Sequence, residues 1–338
     1  MLVGAIIVVL LSIAVMRAPV PYVVLDPGPT VDTLGTVGRF GEDENAPVIE
    51  ITGVEVSESA GQLRLTTVGV QSDVNLLSAI QAWFRSDEAV VPRELVYPPG
   101  QSEEEVEQHN AEQFTQSQSS AEIAALRHLG DYPMRVTVVD VVEGAPADGV
   151  LRAGDVITAV DGVKVTDSSQ LQQAIAGQPA GTRLTVDYLR DGRAASAELV
   201  TVAAEDGTPR IGVQISQEID APFELEIRLE DIGGPSAGLM FALGIIDKLE
   251  PTDLTGGRVI AGTGSIDEEG NVGAIGGIPQ KLVGARRAGA TVFLVPAANC
   301  AEALANAQPD LTLVRVETLA GAVAELEALR QGRQPTTC

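Results

Sequence analysis

Basic residues are few in this sequence and unevenly divided. The 338-residue chain carries 22 lysines and arginines against 47 aspartates and glutamates, a formal charge of −25. So acidic a balance argues against nucleic acid as a partner, since that needs a basic face to neutralise phosphates. Of the 22 basic residues 19 are arginine, and only Lys164, Lys248 and Lys281 are lysine. Arginine stays protonated in proteins, so any basic side chain that must lose its proton is one of those three. Histidine is scarcer still. His109 lies in an acidic, polar stretch, His128 closes a short helical pattern, and neither stands in a motif. Two cysteines, Cys300 and Cys338, with no CxxC pair leave no basis for a zinc site. They read either as two separate thiols or as a bridge tying the C-terminal tail to residue 300 in an oxidising compartment. No G-x-x-x-x-G-K-[ST] occurs, and Gly262-Thr263-Gly264 is too short to be a phosphate loop, so no ATP site is expected. Nothing else calls for a cofactor.

Apolar residues make up 45% of the chain, enough for sizeable cores, and the length suggests two or three domains. Met1–Met16 is a continuous apolar run, MLVGAIIVVLLSIAVM. As a helix it would span about 24 Å, slightly less than a bilayer core of about 30 Å. We expect a membrane anchor over residues 1–19, begun upstream of Met1; a signal peptide and a buried core helix are the alternatives. Strand patterns follow at Val20–Leu25, stopped by Asp26-Pro27-Gly28-Pro29, then at Val48–Val56 and Gln62–Val70. Val74–Phe84 has helical spacing. After Pro98-Pro99-Gly100 comes an acidic run, Glu103 to Glu107, and a Gln/Ser-rich stretch to Ser120, read as a solvated helix face or mobile segment. Glu122–Leu129 reads as a short helix.

Residues 131–203 read as a separate module: a strand from Val136, a helix Ser169–Ala176, and two strands about an Asp191-Gly192 turn. From Asp206 onward strands and helices alternate again, as in an α/β or α+β domain. Two stretches there stand out. Gly233-Gly234-Pro235-Ser236-Ala237-Gly238 puts a hydroxyl on a glycine-rich turn that opens an apolar helix, Leu239–Leu249. Ile275-Gly276-Gly277-Ile278-Pro279-Gln280-Lys281 puts a lysine just inside another helix. A serine is a weak nucleophile until a base takes its proton. With no placed histidine, lysine remains, and an apolar setting lowers its pKa toward neutrality. Lys281 has that setting among Ile275, Ile278, Leu282 and Val283, whereas Lys164 and Lys248 read as solvated. The turn at Gly234, Pro235 and Ala237, with the helix start behind it, offers N–H groups to an oxyanion. An ordinary N-cap serine is the competing reading.

The string GAPADGVLRAGDVITAVDGVKV resembles PDZ domains of the bacterial protease-associated type. That resemblance implies a groove between one strand and the Ser169–Ala176 helix, where an extended peptide adds as a strand. It also implies a carboxylate-binding loop before the first strand, near Leu129–Tyr132. GGPSAGLMFALGII and AGTGSIDEEGNVGAIGGIPQKLVGARRAGATVFLVP resemble the proteolytic domain of Lon proteases, over most of residues 206–330. The likeness extends, more weakly, to GQLRLTTVGVQSDVNLLSAIQAWF at 61–84. Under it Ser236 matches the nucleophile, Lys281 the general base and Thr263 a threonine that contacts the lysine amine. Gly233 stands where the ATP-dependent enzymes often carry an acid, with Asp231 further back.

The implied fold class is α+β. An N-terminal transmembrane helix (1–19) precedes a Lon-type proteolytic α/β domain (20–130 and 204–338), split by an inserted, β-barrel-like PDZ domain (131–203). The resemblance is to membrane-anchored, PDZ-containing, Lon-like serine proteases without the ATPase module. It implies an ATP-independent endopeptidase, with unfolded or PDZ-presented polypeptides as partners and the body outside the cell membrane. Lon-type domains commonly assemble as rings, which leaves a homo-oligomer open. The arginine bias suggests a GC-rich genome, such as an actinobacterium's. The rival readings are a PDZ adaptor on a shell that no longer cleaves, and a tethered chaperone or scaffold.

Overall fold

The computed structural model describes residues 16–36, 46–130, 132–204, 206–229 and 232–338. The apolar run expected to form the anchor falls on residues outside these, apart from Met16. Among the described residues no helix is long and apolar enough to cross a membrane. The chain forms two compact units: one joins the segment ending at Leu129 to Phe223–Cys338, and the other is Gly130–Pro222.

The first unit begins with β1 (Tyr22–Asp32), β2 (Gln62–Gln71), α1 (Leu76–Trp83), β3 (Ala89–Pro92) and α2 (Glu103–Leu129). β1 does not stop at Asp26. It continues through Pro27 and Pro29 because its register against β2 shifts between Pro27 and Thr30, and β3 pairs only with Tyr22–Leu25. A bulge on a stretch paired along one side accommodates both prolines. The strand expected over Val48–Val56 is reduced to Ile49–Thr52.

The stretch after Gly100 is neither mobile nor two separate pieces. It is one 27-residue helix, α2. Ser102 and Glu105 start it as a capping box: Glu105 N donates to Ser102 Oγ at 3.2 Å, and Ser102 N to Glu105 Oε2 at 2.7 Å. Three glutamates in the first turn and Arg127 in the last complement the helix dipole. Phe114, Ser117, Ala121, Ala124 and Ala125 recur at helical spacing and are buried.

The second unit holds β4 (Met134–Val141), β5 (Val156–Val160), α3 (Ser168–Ala176), β6 (Arg183–Arg190), β7 (Arg193–Val200) and β8 (Val213–Ile219). Its sheet runs β8-β4-β5-β6-β7, antiparallel throughout. Val136, Val138, Ile157, Leu171, Leu184 and Leu199 form its core. The unit ends at Pro222 rather than 203, because β8 pairs with β4 from Val213↔Val141 to Ile219↔Met134.

The first unit resumes with α4 (Gly238–Leu249), β9 (Val259–Gly262), α5 (Ile278–Arg287), β10 (Val292–Pro296), α6 (Cys300–Ala305), β11 (Thr312–Val316) and α7 (Leu319–Arg330). Its main sheet runs β11-β10-β9-β2-β1-β3. β9 lies parallel to β2, from Val259↔Gln62 to Gly262↔Leu65, so segments before and after the inserted unit share one sheet. Ile49–Thr52 pairs with Glu224–Ile227 across the same insertion. α4 is buried on every side from Gly238 to Asp247 and packs against α2.

Cys300 and Cys338 form a disulfide. It anchors a tail whose Cys338 N donates to Leu313 O at 3.1 Å, while Arg315 N donates to Thr336 O at 3.0 Å. The bridge closes a 38-residue separation, for which chain entropy predicts a stabilisation of about 3–4 kcal/mol. Replacing both cysteines by serine should lower the melting temperature, and reductant should lower the parent's but not the variant's. Coincident melts for the two proteins would contradict this bridge.

Candidate active site

Ser236 lies on the turn leading into α4, Thr263 immediately follows β9, and Lys281 is in the first turn of α5. Lys281 Nζ is 2.9 Å from Ser236 Oγ and 2.9 Å from Thr263 Oγ1. Thr263 Oγ1 in turn donates to Ser236 O at 3.0 Å. Its one proton is thus committed, and toward the amine it can only accept. Lysine and threonine are 2% and 0% exposed. Burial pulls the Lys281 ammonium from the ordinary 10.5 down to about 8. Among the described residues no carboxylate faces the amine to hold its charge.

Four hydrogen bonds and one ring contact fix the serine turn. Gly264 N donates to Ser236 O at 2.9 Å, and Leu239 N to Gly264 O at 3.1 Å, lacing the turn to the end of β9. From α2, Ser117 Oγ donates to Pro235 O at 3.0 Å. Asn110 O accepts from Gly234 N at 2.8 Å. Phe114 of α2 packs edge-on against Phe241 of α4, with ring centroids 5.7 Å apart. The polar helix that the sequence left without a role therefore braces the serine turn. It also accounts for Gly233: a Cβ there would come within 2.9 Å of the Asn110 Cβ, so no acid fits. Asp231 lies outside the described residues.

Of the three turn residues expected to serve an oxyanion, Gly234 and Pro235 have no free N–H. The Gly234 N–H is taken by Asn110, and Pro235 has none, so these two residues shape the turn without donating. Ala237 stands just before α4 and gives it no side-chain cap, which leaves the Ser236–Ala237 amides and the positive end of the helix beside the hydroxyl.

The lysine loop is held equally firmly. Asn299 Oδ1 accepts from Ile275 N at 3.0 Å and Asn299 Nδ2 donates to Ile275 O at 2.9 Å. Gly277 takes φ +74° to start α5, and a Cβ there would meet Val68 at 2.5 Å. Asn299, Asn110 and Ser117 were not foreseen from sequence. A cleft of about 610 Å³ opens over Ser236 and Lys281, with apolar walls at Pro29, Leu65, Val68, Ile232 and Ile275. Neither histidine lines this cleft or bonds Ser236; His109 pairs with Gln113 on α2. Lys164 is exposed, as expected. Lys248 is not solvated: it is half-buried, and burial lowers its pKa while Asp247 and Asp32 oppose the shift.

In the second unit β4 is hydrogen-bonded on both sides, by β8 and β5. An extended peptide has no place against it, so a loop before that strand, near Leu129–Tyr132, is not beside a sheet edge. The end strand is β8, and Gln217 on it accepts from Ser168 N at the start of α3 at 2.6 Å.

Between about pH 8 and 10.5 the unfolded chain holds a proton on Lys281 that the folded chain does not, so stability should rise with pH across that window. Below it the buried charge costs about 3 kcal/mol. Lys281→Met keeps the volume and removes the charge. Denaturant titrations should show the rise flattened and no loss of stability at pH 7; an unchanged slope would contradict the shift.

Comparison with known proteins places names on both units. Residues 105–201 match the PDZ domain, and residues 231–326 match the Lon protease (S16) C-terminal proteolytic domain. Lon protease 2 of Herpetosiphon aurantiacus is 30% identical over 198 residues, 55% of this chain and 24% of that protein. Lon protease of Clostridioides difficile is 46% identical over 63 residues, 19% of this chain and 8% of that one. The chain thus matches about a quarter or less of the length of these relatives. Among solved structures, the PDZ domain of an SdrC-like protein from Listeria monocytogenes is 30% identical, covering 24% of this chain and 85% of that one, with a TM-score of 0.23. The chain therefore carries a PDZ domain together with a proteolytic domain of the Lon (S16) type, which is a serine endopeptidase domain.

Proposed function

We propose that this protein is an ATP-independent serine endopeptidase in which Ser236 is the nucleophile and Lys281 the general base. The observation that carries this reading is the 2.9 Å contact from Lys281 Nζ to Ser236 Oγ, with the amine buried and its pKa near 8. In the neutral amine one N–H goes to Thr263 Oγ1, which leaves the lone pair free to take the serine proton. Ser236 Oγ attacks the scissile carbonyl carbon as Lys281 accepts that proton. The carbonyl oxygen becomes an oxyanion beside the Ser236–Ala237 amides at the open start of α4. The ammonium then gives its proton to the leaving nitrogen, the peptide bond breaks and an acyl-serine remains. Lys281 next takes a proton from water as the hydroxide attacks the ester carbon, then returns that proton to Ser236 Oγ as the acyl–oxygen bond breaks and the second product leaves. Thr263 positions the amine throughout.

The apolar cleft walls suit an extended, unfolded chain with apolar side chains. The end strand β8 beside α3 offers a docking edge for such a chain, by strand addition. Hydrolysis without a motor is part of this proposal, and it limits substrates to chains already unfolded. The Met1–Met16 run is read as a membrane anchor with both units on the outer side, where a disulfide persists. Assembly into a homo-oligomer is compatible with this reading.

The test is cleavage of unfolded casein by the full chain in mild detergent. Ser236→Ala and Lys281→Ala should each abolish it; equal residual cleavage in parent and variants would contradict the dyad. Because the base must be neutral, kcat/KM should fall about tenfold per pH unit below about 8 and level off above it. A profile flat from pH 6 to 9 would exclude Lys281 as the base. Ser117→Ala should lower kcat by roughly tenfold with KM unchanged, since it frees the Pro235 carbonyl without touching substrate. An unchanged kcat would show that α2 supports the fold alone.

A further inference from the structure

Trp83 is 72% exposed and Phe84 is 84% exposed. Trp83 is the only tryptophan in a chain with 3% aromatic residues. Leu77 and Ile80 on the same helix are 44% and 41% exposed. At 100° per residue these four fall within an arc of about 120° on α1 and its C-cap. Buried Ala79 and Ala82 occupy the other side, packed on Val24 and Val74. Single exposed apolar residues are ordinary, but four large ones sharing a helix face mark a contact surface. Charge near the face is paired: Arg85 lies 3.0 Å from Glu88 and 3.5 Å from Asp87.

The position of this face identifies what covers it. The start of α1 is laced to the residues that directly follow the apolar run. Leu76 N donates to Ala18 O at 3.1 Å, Val20 N donates to Val74 O at 3.1 Å, and Pro19 bridges Asn75. The last residue of Met1–Met16 is therefore two residues from a backbone hydrogen bond to α1. We propose that the Leu77–Ile80–Trp83–Phe84 face seats in the interface of the bilayer that the apolar run enters, with the indole and phenyl rings at the boundary of headgroups and acyl chains. Tryptophan is favoured at that depth, and a helix lying in the interface buries one apolar face there. The net charge of −25 opposes an anionic surface, so the lipid is zwitterionic. The proposal rests on the anchor reading, and its test separates the two.

The single tryptophan makes the measurement direct. The full chain is reconstituted into phosphatidylcholine vesicles, plain or brominated at shallow acyl positions, and floated on a density gradient. The chain should float, and brominated lipid should roughly halve the Trp83 emission while acrylamide quenches it little. Leu77→Ser with Ile80→Ser should float equally but lose most of the bromolipid quenching. A chain that floats with Trp83 open to acrylamide and untouched by bromolipid leaves the anchor standing and overturns the seated face. A chain that does not float overturns both. Protection from acrylamide without bromolipid quenching assigns the face to a second copy of the chain and overturns the proposal.

Discussion

Everything at the candidate site depends on one buried amine. A lysine in water is almost wholly protonated at neutral pH and is useless as a base. Enclosing Lys281 to 2% exposure, without a carboxylate facing it among the described residues, brings its pKa within reach of physiological pH. The folded state bears that cost, and the surrounding structure must hold the amine against it. Thr263 does so on one side by accepting from Nζ, and α5 does so on the other by packing Ile278 and Leu282 into the core. The site is thus a region where stability is given up for reactivity.

The serine half depends on a different constraint: α4 can begin beside the lysine only if the turn before it is held open. Two distant segments do this. The end of β9 laces to Ser236 and Leu239 through main-chain hydrogen bonds, and α2 reaches over with Ser117 and Asn110. α2 precedes the inserted PDZ-containing unit and α4 follows it, so the nucleophile turn and its support come from opposite sides of the insertion. The same holds for the sheet, where β2 supplies the strand beside β9. The first unit can assemble its site only when both flanks of the insertion have folded together.

What could be read from the sequence follows from how restrictive each signal was. Three lysines and two histidines left few choices of base and pointed to Lys281 beside Ser236, the Lon resemblance added Thr263, and the fold brings the three within hydrogen-bonding distance. α2 escaped because its buried face is built from Ser117, Ala121, Ala124 and Ala125, which carry little hydrophobic contrast; Phe114 is its one large residue before Ile123. The Ser102-x-x-Glu105 capping box was the legible clue to its start. Gly234 looked like an oxyanion donor because local sequence cannot show that Asn110, 124 positions earlier, accepts its N–H. The prolines of β1 look like a stop until the bulge and the one-sided pairing are known. β8 lay beyond the expected domain boundary because the alternation that marks it comes after the Asp206–Gly207 turn, while its partner β4 opens the unit.

The central claim concerns the ionisation of one side chain in a chain with only three lysines, which makes it directly observable. Lysines labelled with carbon-13 at Cε give three resonances whose shifts follow their own protonation. The account predicts that one of them, absent from the spectrum of Lys281→Ala, titrates with a midpoint near 8 in the folded protein. That resonance titrating near the ordinary value of 10.5, with the protein still folded, would contradict it.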